Sequence, residues 1–367
     1  MRNRVQFRLL VVRLGAMGDI LHALPAVTAL RRMHPAWRIG WAVEPRWRSL
    51  LSAELDGPSV PELRTPARPL VDQVHLVPTK EWGRKPLSIN TLNEILAMRR
   101  ELRAADYDAV LDLQGAIRSA VVARLAGCRR VIGEDQPREN AARWLFSERV
   151  RTTGAHVIEQ DIELASNVAG DLLEPAQPWL PVDAEAEQWC DQLAPLQSSK
   201  PLVLINPGAG WGAKRWPPER YGAVAAALAA AGATVLVNAG PGEESLAIAV
   251  VAAAQRKAAA VVCTLPQLIA LTRRISLLVA GDTGPLHLAC ALGKPVVGIY
   301  GPTDPQRNGP FATPFRVLRS PGSVRDHTRR AEPEAGLLTI QAEEVIAAAL
   351  ELMPMAASAA EKRKEQI

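Results

Sequence analysis

Short apolar runs alternate with stretches of helical periodicity along almost the whole chain. The runs Phe7–Val12, Ile39–Val43, Gln73–Val77, Ala109–Asp112 and Arg130–Gly133 read as strands, with helical patterns such as Leu21–Met33 and Ile89–Ala104 between them. This alternation predicts a parallel sheet wrapped by helices. Around 176–200 the pattern breaks, with Pro178, Pro181 and Pro195 flanking a short acidic helix, and it reads as a linker. The alternation then restarts with Leu202–Asn206, Thr234–Asn238, Ala260–Cys263, Leu277–Ala280 and Val296–Tyr300. Two doubly wound α/β domains facing a central cleft are expected, with ligands beyond the carboxyl ends of the strands. The expected division is 1–175, a linker over 176–200, a second domain over 201–335, a C-terminal helix over 336–355 and a disordered tail over 356–367. That helix, Ile340–Leu352 by pattern, is expected to pack back across the domains.

A chain of 367 residues, 48% hydrophobic, has material for two cores. The apolar run Leu9–Val12 is too short for a signal peptide, and Ala223–Ala239 is interrupted by Gly232 and reads as helix, turn and strand. Cys128, Cys190, Cys263 and Cys290 are scattered and read as small buried hydrophobes in a reducing compartment. The charge of +5 is unevenly spread. Residues 1–150 hold 24 Lys and Arg against 16 Asp and Glu, and the remainder 19 against 22. The first half therefore either carries a solvated basic face or meets something anionic. No nucleic-acid module accompanies the basic residues, so nucleic acid is not the expected partner.

The strongest chemical signal is "LLVAGDTGPLHLACALGKPVVGIYGPTDP", Leu277 to Pro305. A strand runs into Gly281-Asp282-Thr283-Gly284. Thr283 suits a helix N-cap, Pro285 the first helical position and Gly293 the far end. Such a helix start offers N–H donors and a favourable dipole to a diphosphate, with His287 one turn in. "INPGAGWGAKRWPPERYG" (Ile205 to Gly222) adds a glycine loop followed by Lys214, a cation suited to a leaving phosphate. In "NAGPGEE" (Asn238 to Glu244), Glu243 and Glu244 suit either ribose hydroxyls or the first turn of a helix. The plainer readings are an ordinary capped turn, a packed histidine and a surface lysine. Neither G-x-G-x-x-G nor G-x-x-x-x-G-K-[ST] occurs, which argues against a dehydrogenase or a P-loop ATPase. Asp106-Tyr107-Asp108 precedes a strand and reads as a turn, and no His/Cys cluster has metal-ligand spacing, so neither a metal nor another cofactor is expected.

"RLGAMGDILHALPA" (Arg13 to Ala26) has the strand, glycine loop and helix of a phosphate cradle, yet sets Asp19 at its mouth. If the phosphates bind in the second domain, Asp19 can face a sugar across the cleft as a general base for an incoming hydroxyl. It can equally be a helix N-cap, and the residues leave both readings open.

Taken in order, "MGDILHALPA", "YDAVLDLQGAIRSA", "AKRWPPERY" and "GDTGPLHLACALGKPVVGIYGPTDP" resemble the lipopolysaccharide heptosyltransferases of glycosyltransferase family 9. The resemblance runs from about Leu9 to Leu352. It implies the α/β GT-B fold, two Rossmann-like domains about a cleft. It also implies metal-independent transfer of heptose from ADP-heptose with inversion. On this resemblance Asp19 matches the base, Lys214 the phosphate-contacting lysine and Glu243 the nucleoside-binding acid. Asp282, Thr283, Gly284 and His287 match the donor-binding turn.

Family members differ in acceptor. "LDLQGAIRSA" and "RENAARWLFSERV" resemble the version that adds heptose to Kdo on lipid A. Arg138 then matches an acceptor-binding arginine, with Arg118, Arg84 and Lys80 as further candidates. "NPGAGWGAKRWP" instead resembles the version that extends the first heptose. The resemblance implies a monomer attached peripherally to the cytoplasmic face of the inner membrane, which suits the basic first half. A nucleotide-sugar 2-epimerase and an inactive nucleotide-binding scaffold are the rival classes.

Overall fold

The computed structural model describes residues 6–53, 64–326, 328 and 330–364, with 354–364 as backbone alone. The chain divides into two compact units, Met1–Val182 and Asp183–Ile367.

In chain order the first unit contains β1 (Arg8–Val12), α1 (Met17–Met33), β2 (Arg38–Val43), β3 (Gln73–Leu76), α2 (Thr79–Trp82) and α3 (Ile89–Ala104). It continues with β4 (Ala109–Asp112), α4 (Ile117–Leu125), β5 (Arg130–Glu134), β6 (Glu148–Val150) and α5 (Val157–Ala169). The six strands are all parallel, in the order β3-β2-β1-β4-β5-β6. β1 is buried from Leu9 to Val12, as a strand covered on both faces must be. Leu10 and Val12 pack with Met98 and Leu102 of α3 and Ala120 and Ala123 of α4. α1 and α5 pack together on the opposite face. Val12 pairs in register with both Ala42 and Asp112, so the loops after β1 and β4 leave the sheet side by side.

The second unit contains α6 (Ala184–Asp191), β7 (Leu202–Asn206), α7 (Pro218–Ala230), β8 (Thr234–Ala239), α8 (Glu244–Ala253) and β9 (Ala259–Val262). After these come α9 (Leu265–Arg274), β10 (Leu277–Gly281), α10 (Gly284–Ala291), β11 (Val296–Tyr300), α11 (Pro305–Asn308), β12 (Phe315–Arg319) and α12 (Ala342–Lys364). Its parallel sheet runs β12-β11-β10-β7-β8-β9.

All ten expected strands form, within a residue or so at each end. The pattern missed β6, which has three residues, and β12, a Phe-Arg-Val-Leu-Arg strand at the sheet edge. The segment read as a linker contains α6, docked on α9 through Glu187 to Arg273 and Arg274 and through Asp191 to Arg274. The last helix buries Val345, Ala349 and Leu352 in the core of the second unit, and Ile340 O accepts from Trp216 Nε1 at 3.1 Å. It thus packs on its own unit's α7. The tail expected to be disordered falls partly in α12, as backbone to Lys364, and 365–367 lie outside the described residues.

Candidate functional site

The order of the second sheet reverses between β10 and β7, the position at which open α/β sheets bind ligands. β10, β7 and β8 end side by side there, and each delivers one of the three loops singled out in the sequence.

Asp282 follows β10 and is buried. Its Oδ2 lies 2.5 Å from Lys214 Nζ, its Oδ1 lies 3.0 Å from His287 Nε2, and its backbone oxygen lies 3.3 Å from the same lysine nitrogen. Burial raises the Asp282 carboxyl, but the His287 hydrogen bond and the Lys214 ammonium outweigh it and hold the group well below the usual carboxylate range. Asp282 is therefore an anion, and His287 Nε2 is the nitrogen that donates to it. Of the three ammonium N–H donors of Lys214, these contacts use two. The ammonium also stands 5.2 Å from the centre of the Trp211 ring.

Thr283 takes the N-cap position of α10, as expected, but makes no capping bond. Its hydroxyl donates to Gly281 O at 3.2 Å. Pro285 has no N–H to satisfy. Leu286 and His287 donate their N–H groups to Thr283 O at 3.1 and 3.3 Å, so the Gly284 N–H and the helix dipole are what the first turn leaves uncovered by any capping side chain, beside the Lys214 cation. That combination attracts a phosphate or diphosphate.

Glu243 stands on the neighbouring loop, at the start of α8. A Cβ on Gly208 would lie 2.0 Å from Glu243 Oε2, so only glycine lets the carboxylate lie over the β7 loop. Its ion partner is Arg215, at 3.9 Å. Glu244 is a first-turn helix acid, accepting from Gly242 N at 3.2 Å. The buried amides Asn206 and Asn238 are joined at 2.7 Å at the ends of β7 and β8, a pair not singled out in the sequence.

In the first unit α1 begins at Met17, so Asp19 is the third helical residue and not the cap. Its Oδ2 accepts the Ala16 N–H at 2.9 Å, and its Oδ1 lies 3.5 Å from Arg13 Nη2. The side chain keeps 38% of its surface exposed, enough to meet another molecule.

Beside it, sequence reasoning missed Asp112, the last residue of the fully buried β4. Asp112 Oδ1 accepts from Gln114 N, Gly115 N and Ser119 Oγ at 2.8, 2.9 and 3.1 Å. Burial pushes this carboxyl up to about 6, against those bonds and the charge of Arg13. Asp112 Oδ2, Gln114 Nε2 and Arg13 Nε are buried with no hydrogen-bond partner among the described residues. Gln114 Oε1 accepts from Leu14 N at 2.8 Å and ties the β4 loop to the β1 loop. The available signal was a carboxylate ending a wholly apolar strand.

The four basic candidates separate into two pairs. Gly115 has φ +62°, and a Cβ there would lie 3.1 Å from Arg138 N. Glu139 Oε2 accepts from Ile117 N at 2.8 Å and covers the start of α4, where Arg118 follows. Arg138 and Arg118 are thus brought to the loops after β5 and β4, both exposed. Lys80 and Arg84, also exposed, follow β3. Four strand spacings, roughly 19 Å, separate β3 from β5. Among the described residues no group of three or more His, Cys, Asp or Glu side chains is arranged to hold a metal ion.

The sequence profile described as glycosyltransferase family 9 (heptosyltransferase) matches residues 95–336. Lipopolysaccharide heptosyltransferase 1 of Escherichia coli O18:K1:H7 is 27% identical over 86% of this chain and 92% of its own length. Lipopolysaccharide heptosyltransferase 2 of Escherichia coli K12 is 28% identical over 62% of this chain and 69% of its own. Among solved structures, the Escherichia coli heptosyltransferase WaaC with ADP covers 92% of this chain and 98% of its own, at 25% identity and a TM-score of 0.75. The matched fold is the two-domain GT-B arrangement. By its profile, its fold and its relatives, this chain belongs to glycosyltransferase family 9, the heptosyltransferases.

Proposed function

We propose that this chain moves a heptose from ADP-heptose to Kdo of Kdo-lipid A, inverting the anomeric carbon without a metal ion. The observation that carries the reading is the Lys214–Asp282–His287 group at the uncapped start of α10. The diphosphate of the donor sits at that helix start, and Glu243 meets the nucleoside. Asp282 holds Lys214 and His287 toward the phosphates rather than touching them itself. Asp19 removes the proton of the acceptor hydroxyl. As the new C–O bond forms at the anomeric carbon, the bond to the diphosphate oxygen breaks on the opposite face. ADP leaves with the electron pair, and the growing charge on its terminal phosphate falls to Lys214, the Gly284 N–H and the α10 dipole. A group that meets charge mainly in the transition state raises turnover, not affinity alone.

Arg138 and Arg118 on one flank, and Lys80 and Arg84 on the other, suit the carboxylate and phosphates of Kdo-lipid A. Activity as a monomer attached peripherally to the cytoplasmic face of the inner membrane completes the reading. It is consistent with the first unit's basic excess and with the lack, among the described residues, of a helix long and apolar enough to cross a membrane. The second reading is transfer to the first core heptose, favoured by the loop "NPGAGWGAKRWP".

The test is incubation with ADP-heptose and either Kdo-lipid A or its heptosylated product, in EDTA. Release of ADP with a lipid heavier by one heptose is expected for Kdo-lipid A. Transfer only to the heptosylated lipid selects the second reading. Activity that vanishes in EDTA and returns with Mg²⁺ removes the metal-free mechanism.

A further inference from the structure

Helix α3 leaves an apolar stripe without a partner. Leu87, Ile89, Leu92 and Leu96 are 90%, 76%, 50% and 48% exposed. At 100° per residue, Ile89, Leu92 and Leu96 fall within an arc of about 60°. The buried face of the helix, Thr91, Met98 and Leu102, lies roughly opposite. Single exposed hydrophobes are ordinary, but a run of them at helical spacing marks a surface that meets something.

The same helical layer continues the feature. α4 packs against α3 and against the 3-10 turn Asn140–Leu145, and exposes Ile117 and Val121. Trp144 of that turn is 77% exposed, with the Arg143 and Arg149 guanidiniums 5.8 and 5.9 Å from its ring centre. Arg103 closes the seam by packing at Gly127, just past α4.

Along α3 the charge beside the stripe is basic, while farther along the face Glu139 covers Ile117 N and Asp135 pairs with Arg143 at 3.1 Å. Arg99 and Arg100 border the stripe on α3, and Lys85 precedes it. The two glutamates of α3 are turned elsewhere: Glu94 accepts from Trp82 Nε1 at 2.8 Å, and Glu101 meets His75 Nδ1 at 2.5 Å. The outward face of α3 therefore presents leucine, isoleucine, arginine and Asn93 with no carboxylate. A helix of that make-up lies in the headgroup zone of an anionic bilayer, its apolar residues below the phosphates and its arginines among them. A protein partner would need carboxylates set against the arginines of α3, whereas an anionic leaflet supplies negative charge everywhere.

We infer that the α3–α4 face, centred on Leu92 and Leu96, is the surface by which this chain docks on an anionic membrane. The inference deepens the membrane part of the proposed function and is independent of its donor and acceptor. α3 returns antiparallel to the strands, so Leu87 and Ile89 lie toward the carboxyl edge of the sheet that carries Asp19. Docking there holds that edge near the headgroups, where the saccharide of a lipid-borne acceptor begins.

The full chain is sedimented with phosphatidylcholine vesicles with and without phosphatidylglycerol. Binding is expected only to the vesicles that contain phosphatidylglycerol, and weaker in high salt. Leu92→Gln with Leu96→Gln should weaken it about tenfold, as should Trp144→Ser, with unfolding temperatures unchanged because these side chains are exposed. Transfer to a delipidated, water-soluble Kdo acceptor should be unaltered in the double variant. Equal vesicle binding by wild type and both variants overturns the proposal, as does absence of binding by wild type. A wild-type dimer that the double variant dissolves also overturns it, making the face a contact between copies. Vesicle binding that depends on Leu92 and Leu96 in a chain that transfers nothing to Kdo-lipid A sinks the transfer reading and leaves this one standing.

Discussion

Lys214 Nζ lies 2.5 Å from Asp282 Oδ2, although 68 positions separate the two residues in the chain. They leave neighbouring strands, β7 and β10, so the ion pair spans the point at which the sheet order reverses. Both side chains are largely removed from water. Removing Lys214 leaves the Asp282 charge buried with only His287 as partner, at a cost of up to about 3 kcal/mol. Lys214→Ala should therefore lose stability as well as turnover and ADP-heptose affinity. Lys214→Met combined with Asp282→Asn removes both charges, and its unfolding temperature should recover much of the loss while kcat stays low. Recovery of kcat along with stability would leave Lys214 a structural ion-pair partner and nothing more.

Asp112 and Asp282 should push stability in opposite directions with pH. The Asp282 carboxyl is held low, so its contribution is complete above the ordinary carboxylate pKa of about 4 and is lost as pH falls below it. The Asp112 carboxyl is pushed up to about 6, so the folded chain binds its proton before the unfolded chain does. Its ionised form costs stability above pH 6, and that cost disappears as pH falls through about 6 toward 4. The difference is on the order of 3 kcal/mol at most, or several degrees in unfolding temperature. Asp112→Asn should keep the acceptor oxygen for Gln114 N, Gly115 N and Ser119 Oγ while flattening the temperature profile between pH 7.5 and 5. Identical pH profiles for wild type and variant would remove Asp112 as the titrating group.

Asp19 serves the start of α1 through one oxygen, and that contact separates its two possible roles. Asp19→Asn can still accept the Ala16 N–H, yet it cannot take up a proton from an acceptor hydroxyl. Asp19→Ala loses both functions. The proposed base predicts that both variants lose transfer by about a hundredfold or more, and that only the alanine variant loses roughly 1 kcal/mol of stability. ADP binding should survive in both. Near-normal kcat in Asp19→Asn would confine Asp19 to its structural contact.

How much of this was legible beforehand depended on range. β4, β7 and β11 were readable because four or five consecutive buried residues leave little choice of structure. β6 and β12 were not, because β6 has only three residues and β12 has two arginines among its five. The turn Asp282–Gly284 was legible because proline and glycine stand where a helix start needs them. What no local pattern could give was the 2.5 Å contact from Lys214, since it exists only once two loops are folded together. Asp112 was overlooked for a related reason. In the sequence it is one more strand-end aspartate, and only burial together with Gln114 and Arg13 makes it unusual. The acidic helix α6 was absorbed into a linker because its partners Arg273 and Arg274 come more than eighty residues later.

Arg138 and Lys80 offer a way to tell the two flanks of the first sheet apart. Arg138 follows β5, its backbone against Gly115, while Lys80 and Arg84 follow β3 roughly 19 Å away. A single carboxylate cannot bridge that distance, so the two pairs must read different groups of a large anionic acceptor. An arginine holds a carboxylate through two parallel N–H bonds, which lysine cannot copy. Arg138→Lys should therefore raise the KM for Kdo-lipid A about tenfold and leave the KM for ADP-heptose unchanged. If Lys80 and Arg84 meet phosphates as point charges, Lys80→Arg should be tolerated, while Lys80→Gln should raise the acceptor KM and reduce its sensitivity to salt. Steady-state kinetics with the lipid acceptor and with its delipidated saccharide distinguish the two. The Arg138 effect should persist with the saccharide, and the Lys80 effect should shrink. A shift in the ADP-heptose KM for Arg138→Lys would move that residue from the acceptor to the donor.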